Sequence, residues 1–196
     1  GKGQYVIKNS NLEKFKNLNL TNLILEKRIN FQLEISVIVI GNLIKKIHYP
    51  PVENHHKDSI LRQTIFPANI SEKISKKAIK MALKISRSLK LEGVLAVEMF
   101  VTKDNKILIN ELAPRPHNSG HWTMDSSEFS QFDNLVSLII KNEVRVPNVF
   151  KKCKMINIIG KDYLKFKAIE KKFIAYDYYK EQVRPNRKMG HYIDFE

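Results

Sequence analysis

The stretch "GVLAVEMFVTKDNKILINEL", Gly93 to Leu112, sets two apolar, β-branched runs on either side of Asp104-Asn105. Asp and Asn tolerate left-handed backbone better than most residues, so the pair serves as a two-residue turn and the flanks read as an antiparallel hairpin. Pairing Lys103 with Lys106 sets a register in which Glu98 faces Glu111. Directly opposed residues hold their Cβ atoms roughly 4.5–5.5 Å apart. Glu98 shares its face with Ala96 and Phe100, and Glu111 with Ile109, so neither lies on a plainly wet side. Like charges so placed destabilise a sheet unless something compensates. A magnesium ion does so, because it takes a few carboxylate oxygens and completes its shell with polyphosphate and water. The alternative stays open at this stage: a longer turn slips the register and leaves both glutamates in water.

The same strand runs on into "INELAPRPHNSGHW", Ile109 to Trp122, which no regular element demands. Pro114 and Pro116 forbid a helix and remove donors from any central strand. Arg115 suits a carboxylate or phosphate, while Asn118, Ser119 and the amides near Gly120 suit an anion. His117 and His121 are four apart, but Pro116 and Gly120 deny them the helix that presents such a pair to zinc.

Outward from this centre, "QYVIK" reads as a strand and "NSNLEKFKNL" as a short helix begun by Ser10 or Asn11. "LILEKRI", "LEISVIVIG" and "LIKKIHYP" read as strands, with Gly41-Asn42 a two-residue hairpin turn between the last two. "PPVENHHKDSI" reads as a polar loop and "LRQTIF" as a strand. A helix follows over Ser71–Leu91, with Ile74, Ala78, Met81, Ala82, Ile85 and Leu89 as its apolar stripe. After the quoted loop a second helix runs from Ser126 to Lys141, carrying Phe129, Phe132, Leu135, Val136 and Ile139. Beyond "VRVPNVF", the segments "MINIIG", "KFIAYDYY" and "MGHYIDF" are short strands between lysine-rich turns. The expectation is an α+β chain of two domains, residues 1–148 and a small all-β unit over 149–196.

Composition narrows the function classes. With 43% hydrophobic and 28% charged residues, the 196-residue chain is an ordinary globular protein. The net charge of +14 invites a nucleic-acid reading. However, Lys73, Lys76, Lys77, Lys80 and Lys84 all fall outside the apolar stripe of the first helix, which makes them a solvated face and argues for no nucleic-acid partner. Cys153 is the single cysteine, so internal disulfides and cysteine-based metal sites are excluded, in keeping with a reducing cytoplasm; its plain role is a small apolar strand residue. No apolar run approaches a membrane span and the first residues lack a secretory pattern. The chain opens on Gly1 in mid-pattern, which reads as a piece of something longer.

Two long motifs of mixed chemistry, "INELAPRPHNSGHWT" and "YYKEQVRPNRKMGH", resemble the signature segments of the 5-(carboxyamino)imidazole ribonucleotide synthases, ATP-grasp enzymes of purine biosynthesis. "GKGQ", "EKRINFQLE", "NHHKDSILRQT" and "LAVEMFVT" spread the resemblance over almost the whole chain. It implies a partial ATP-grasp fold, mainly an antiparallel sheet with flanking helices, followed by a small β domain. It also implies a carbon–nitrogen ligase that uses ATP and magnesium to carboxylate aminoimidazole ribonucleotide with bicarbonate, through carboxyphosphate, releasing ADP and phosphate. By motif, Gly1, Lys2, Gly3 and Gln4 would be the end of a loop over the phosphates, with Lys2 and Arg115 at the reacting groups. Glu26, Lys27, Arg28 and Ile29 would be the hinge that meets adenine, and Glu34 would hold the ribose. His56, Asn110 and Glu111 would contact the nucleotide, while Glu98 and Glu111 would hold magnesium. An ideal pleat points Asn110 away from Glu111, so a side-chain role for it needs local distortion.

Arg115, His117, Asn118 and Ser119 would surround carboxyphosphate and substrate, and Lys180 and Arg187 would grip the ribonucleotide phosphate, with Arg184 as support. Glu53 and His55 depart from the family pattern beside His56. A complete member has an N-terminal domain and first ATP-binding lobe ahead of "GKGQ", so the expected enzyme is a longer parent or a complex with a separate N-terminal piece. A homodimer is the implied assembly, with no nucleic acid and no membrane. The rival readings are a different ATP-grasp carboxylase or ligase, a catalytically incomplete remnant, and a basic nucleic-acid-binding module.

Overall fold

The computed structural model describes residues 5–8, 13–16 and 23–196. The chain divides into two compact units, Gly1–Asn30 and Phe31–Glu196. In the first, residues 13–15 form one turn of 3-10 helix, and Tyr5 sets its ring edge-on to Phe15 at 5.8 Å. Residues 5–8 and 23–29, expected as strands, form none. β-branched composition alone does not make a strand; a place in a ladder does, and none of the described strands takes these segments as a neighbour. Gly1, Lys2, Gly3, Gln4, Ser10 and Asn11 lie outside the described residues.

The second unit is built on one nine-stranded antiparallel sheet. Its strands are β1 (Leu33–Gly41), β2 (Lys46–His48), β3 (Val52–Lys57), β4 (Ile60–Phe66), β5 (Gly93–Val101), β6 (Ile107–Ala113), β7 (Cys153–Ile159), β8 (Ile174–Asp177) and β9 (Lys188–Phe195). Their spatial order is β6-β5-β1-β3-β4-β7-β9-β8, with β2 paired to β1. The helices are α1 (Glu72–Ser88), α2 (Thr123–Ser126), α3 (Gln131–Lys141) and α4 (Phe166–Ile169).

Alternation along the strands assigns the two faces. Ile35, Val37 and Val39 of β1 join Leu95, Val97 and Met99 of β5 in a core closed by Ile74, Ala78 and Ala82 of α1. The opposite face carries Ile38, Ile40, Val94, Ala96, Val52 and Met155, covered by Trp122 and Leu138. Trp122 is fully buried and stacks on Phe66 at 4.4 Å. On this second face the apolar residues give way to polar ones along each strand. Ile38 is followed by Ser36 and Glu34, Ala96 by Glu98, and Val52 by Asn54. That change of polarity, at matching levels on neighbouring strands, makes the floor of the site.

Several local expectations shift. The Gly41-Asn42 turn is a four-residue loop, because Gly41 pairs with Lys46. Asn42 Oδ1 accepts from the amides of Ile44 and Lys45 at 3.0 and 2.7 Å, and a Cβ on Gly41 would collide with the Lys45 carbonyl oxygen. "VENHHK" is not loop but β3, joined to β4 by Asp58 and Ser59, both with positive φ. The helix expected over 126–141 starts only at Gln131, because Ser130 begins α3 with a reciprocal cap to Asp133, while the short α2 ends at Ser126. Phe129 therefore lies between helices. α1 keeps its expected start, Ser71 Oγ accepting the Ile74 amide at 3.4 Å, but ends before Leu89, which is 54% exposed.

The C-terminal strands continue the same sheet, since β7 pairs with β4 through Gln63–Phe66. Between β7 and β8 lie a 3-10 segment and the short α4, so this part is strands with one helical insertion.

Candidate active site

The β5–β6 hairpin brings Glu98 opposite Glu111 by a route different from the one the turn suggests. The loop is one residue longer, with Thr102 bonded to Lys106 (amide to carbonyl, 3.0 Å) and Asn105 in left-handed backbone at φ 58°. Near the turn Val101 pairs with Ile107 and Met99 with Ile109. A register shift between Glu98 and Met99 then leaves Asn110 as the extra residue of a bulge, and Glu98 pairs with Glu111. The longer loop alone would have separated the carboxylates; the bulge returns them to opposition. It is also the distortion that a side-chain role for Asn110 requires.

β5 carries Glu98 opposite Ser36 of β1, and Glu34 pairs with Asn54 of β3. Glu34 Oε2 lies 2.7 Å from His56 Nδ1, both side chains being mostly buried. Burial pushes the Glu98 carboxyl above its usual range, and Glu111 and Glu34 add to the effect, while His56 and Lys188 oppose it. Glu111 itself is exposed, against expectation, and a carboxylate so disfavoured facing it is an arrangement that a bound cation would relieve. Among the described residues no three His, Cys, Asp or Glu side chains converge as a metal-binding cluster. Two carboxylates without imidazole or thiolate suit a hard cation that draws the rest of its shell from phosphate and water.

The loop after β6 closes over this floor. His117 Nε2 stands 3.5 Å from Glu98 Oε1, and its Nδ1 contacts the Ser119 hydroxyl at 2.8 Å. Burial, helped by Arg115 and Lys188, holds the His117 pKa down to about 4, so the ring is neutral at physiological pH. The loop is clamped from α3: Gln131 accepts from the His117 amide at 3.0 Å and donates to the His117 carbonyl at 2.8 Å. Gly120 is required there, because a Cβ would meet the Gln131 amide at 2.8 Å.

Asn118 turns toward β7 instead of the carboxylates. Its amide pairs reciprocally with Asn157, at 3.0 and 2.6 Å, and its Nδ2 also donates to Tyr178 Oη at 3.4 Å. Asn157 Nδ2 donates to the Leu61 carbonyl, which fixes the orientation of both amides. Both N–H groups of Asn118 are thereby used, and one Oδ1 lone pair remains to accept from a ligand. Asn118 is thus equipped for an N–H or O–H donor, not for the anion its residue type suggested.

At the β8–β9 connection, Lys180, Arg184 and Arg187 line a concavity of about 430 Å³ with Tyr179, Glu181 and Gln182. Lys180 Nζ donates to the Lys188 carbonyl at 2.6 Å, and Arg187 Nη1 to the Gln182 carbonyl at 3.2 Å. Burial and the neighbouring Arg187 lower the Lys180 pKa, as expected for a partly buried cation beside another.

The structure thus gathers Glu34, His56, Glu98, Glu111, Arg115, His117 and Ser119 around one floor, and places Lys180 and Arg187 at one concavity. Glu26, Lys27, Arg28 and Ile29 belong to the first unit, where Ile29 is half-buried and the others exposed. Sequence reasoning missed Lys188, whose charge acts on Glu98, His117 and His121. It adjoins Arg187 in the second signature motif, and that adjacency was the available signal. Ser36, Asn54, Thr64, Asn157 and Tyr178 gave none, each being a single polar residue in an otherwise ordinary strand or turn.

The ATP-grasp domain family matches residues 1–132, and the phosphoribosylaminoimidazole carboxylase C-terminal domain matches residues 153–193. N5-carboxyaminoimidazole ribonucleotide synthase of Bacillus subtilis (strain 168) is 40% identical over 200 residues, covering 97% of this chain and 52% of the relative. A crystal structure of the ADP complex of an N5-carboxyaminoimidazole ribonucleotide synthetase superposes with a TM-score of 0.83 at 41% identity, over 87% of this chain and 46% of that one. The Aspergillus clavatus synthase in complex with ADP and 5-aminoimidazole ribonucleotide superposes with a TM-score of 0.81 at 32% identity, over 87% and 48%. The chain spans about half the length of the curated relatives it matches. With a family match over more than half of its residues, the chain belongs to the ATP-grasp family, and residues 153–193 behind that match resemble the carboxylase C-terminal domain.

Proposed function

We propose that this chain supplies the metal-binding and substrate-binding half of a 5-(carboxyamino)imidazole ribonucleotide synthase. The observation that carries the reading is the opposition of Glu98 and Glu111 beneath the His117–Ser119 loop. Magnesium held by these carboxylates would neutralise the crowded phosphate charge of ATP. Bicarbonate oxygen attacks the γ-phosphorus as the bond to ADP breaks; the resulting carboxyphosphate parts into carbon dioxide and phosphate. The substrate amine then adds to carbon dioxide and loses a proton. The protein's part is to orient these groups and exclude water while the intermediate survives.

Arg115, with Lys188 behind it, faces the transferring anion, and Lys180 and Arg187 take the ribonucleotide phosphate. Asn118 accepts a hydrogen bond from the substrate through its free lone pair. His56 and Glu34 face the nucleotide. The roles of Gly1, Lys2, Gly3 and Gln4 over the phosphates, and of Glu26, Lys27, Arg28 and Ile29 at adenine, rest on the resemblance alone, as do a homodimer, a separate N-terminal piece and a cytoplasmic location. We also place a boundary between family modules near residue 149, supported by family matches that end at 132 and resume at 153.

The test is ADP release by the chain combined with the N-terminal half of a relative. Release is expected only when aminoimidazole ribonucleotide and bicarbonate are both present. Release with another amine, and none with this one, overturns the choice of substrate in favour of a different ATP-grasp ligase.

A further inference from the structure

A line of side chains crosses the sheet from β4 to the carboxylate pair, and its direction is set at the His117 end, where a backbone amide donates to Nδ1. Thr64 Oγ1 donates to Asn54 Oδ1 at 2.9 Å. Asn54 Nδ2, which can only donate, bonds Ser36 Oγ at 2.9 Å. Ser36 Oγ, with that lone pair occupied, donates to Ser119 Oγ at 2.8 Å. Ser119 Oγ then has its own proton left for His117 Nδ1, at 2.8 Å, and the Ser119 amide donates to the same nitrogen at 3.3 Å. Thr64, Ser36 and Ser119 are wholly buried and Asn54 is 4% exposed, so water does not compete for these links. The Ser119 amide can only donate, so His117 Nδ1 accepts, and with that nitrogen as acceptor the arrangement that satisfies every link runs from Thr64 toward the imidazole.

We propose that the Thr64–Asn54–Ser36–Ser119 chain is a positioning relay that holds His117 as the Nε2–H tautomer, with its proton on the nitrogen that stands 3.5 Å from Glu98. Thr64, Asn54 and Ser36 are positioning residues that act through Ser119. The relay uses up the Nδ1 lone pair and leaves the Nε2 nitrogen protonated, so the ring offers no lone pair to a cation. It presents a donor to Glu98 and keeps the cation site one of oxygen ligands. That last consequence rests on the magnesium role proposed for Glu98; the tautomer does not.

Nitrogen-15 NMR of the histidine ring in this 196-residue chain, at neutral pH without nucleotide or metal, reads the tautomer directly. His117 is expected to show an unprotonated Nδ1 and a protonated Nε2. Ser36→Ala cuts the relay in the middle and should move both resonances toward the averaged values of mixed tautomers, and Thr64→Val, which removes only the first donor, should move them less. A wild-type His117 protonated on Nδ1 overturns the proposal, as does a folded Ser36→Ala protein with unchanged resonances. If Ser36→Ala does not fold, the wild-type spectrum and Thr64→Val decide. No outcome depends on ATP turnover, so failure here is distinct from failure of the proposed function.

Discussion

At the β5–β6 edge two carboxylates are set against each other by backbone register, whereas at the β8–β9 connection three basic side chains are held near one concavity by hydrogen bonds to carbonyls and amides. The first arrangement stores its geometry in a ladder and a bulge, which side-chain replacement leaves intact. The second depends on the connection between two strands, where Tyr179 and Asn186 adopt positive φ. Removing a charge should therefore act cleanly at the carboxylate edge, while backbone changes should act most strongly there. At the basic end, on the role proposed for it in holding a phosphate, substitutions should act in proportion to the number of charges removed.

The largest expected effect is at Glu98. Glu98→Gln, in the chain combined with an N-terminal half, should lower metal-dependent ADP release about 1,000-fold, or about 4 kcal/mol. The metal-free fold should not weaken, because a buried, repelled carboxylate has been replaced by a neutral isostere; chemical unfolding checks that half. Unchanged ADP release would remove the hairpin from the mechanism.

Acid should break the molecule between these two regions. Burial, with His191 and Lys188 nearby, holds His121 down to about 3, and burial holds His191 down to about 4. Both therefore bind protons more readily in the unfolded chain, whose histidines titrate near 6.5. Their contribution to stability is full above about pH 6.5 and is lost as pH falls toward 4, on the order of 3 kcal/mol for His191. Denaturant midpoints across that window check the sign, and His191→Gln should flatten the slope. Stability that rose on acidification would contradict it.

Deleting Ile109 together with Asn110 sharpens the comparison most. Both carboxylates remain, but one residue more than the bulge holds is lost, so Glu111 falls opposite Met99 instead of Glu98, and magnesium affinity should fall about 10- to 100-fold. Calorimetric titration of magnesium into the chain reads this directly; unchanged affinity would mean that composition, not register, makes the site. At the basic end Lys180→Ala should weaken binding of the substrate phosphate about 10-fold, with Arg187→Ala adding a similar factor, and magnesium affinity should not move.

The opposition of Glu98 and Glu111 was legible in the sequence, but through two departures that cancel. A two-residue turn at Asp104-Asn105 and a regular ladder predict the same pairing as a three-residue loop and a bulge at Asn110. Turn propensity did not reveal that Thr102 Oγ1 would accept the Lys106 amide at 3.1 Å and lengthen the loop. β3 was hidden because Glu53, Asn54, His55 and His56 look like loop. Asn54 is buried only because Ser36 and Thr64, on the flanking strands, supply its partners. Such pairings are non-local, and no window of sequence contains them. Residues 23–29 failed the other way: their composition favours a strand, but none of the described strands pairs with them.

The pairing of β4 with β7 has a mechanical consequence. The parts of the chain that match two separate families are laced together by Gln63–Phe66 against Ile156–Cys153. A hinge between them would have to tear a central ladder, so they move as a single plate. Any opening and shutting over the carboxylates within this unit falls to its connections, and the slowest-exchanging amides should run unbroken across the join.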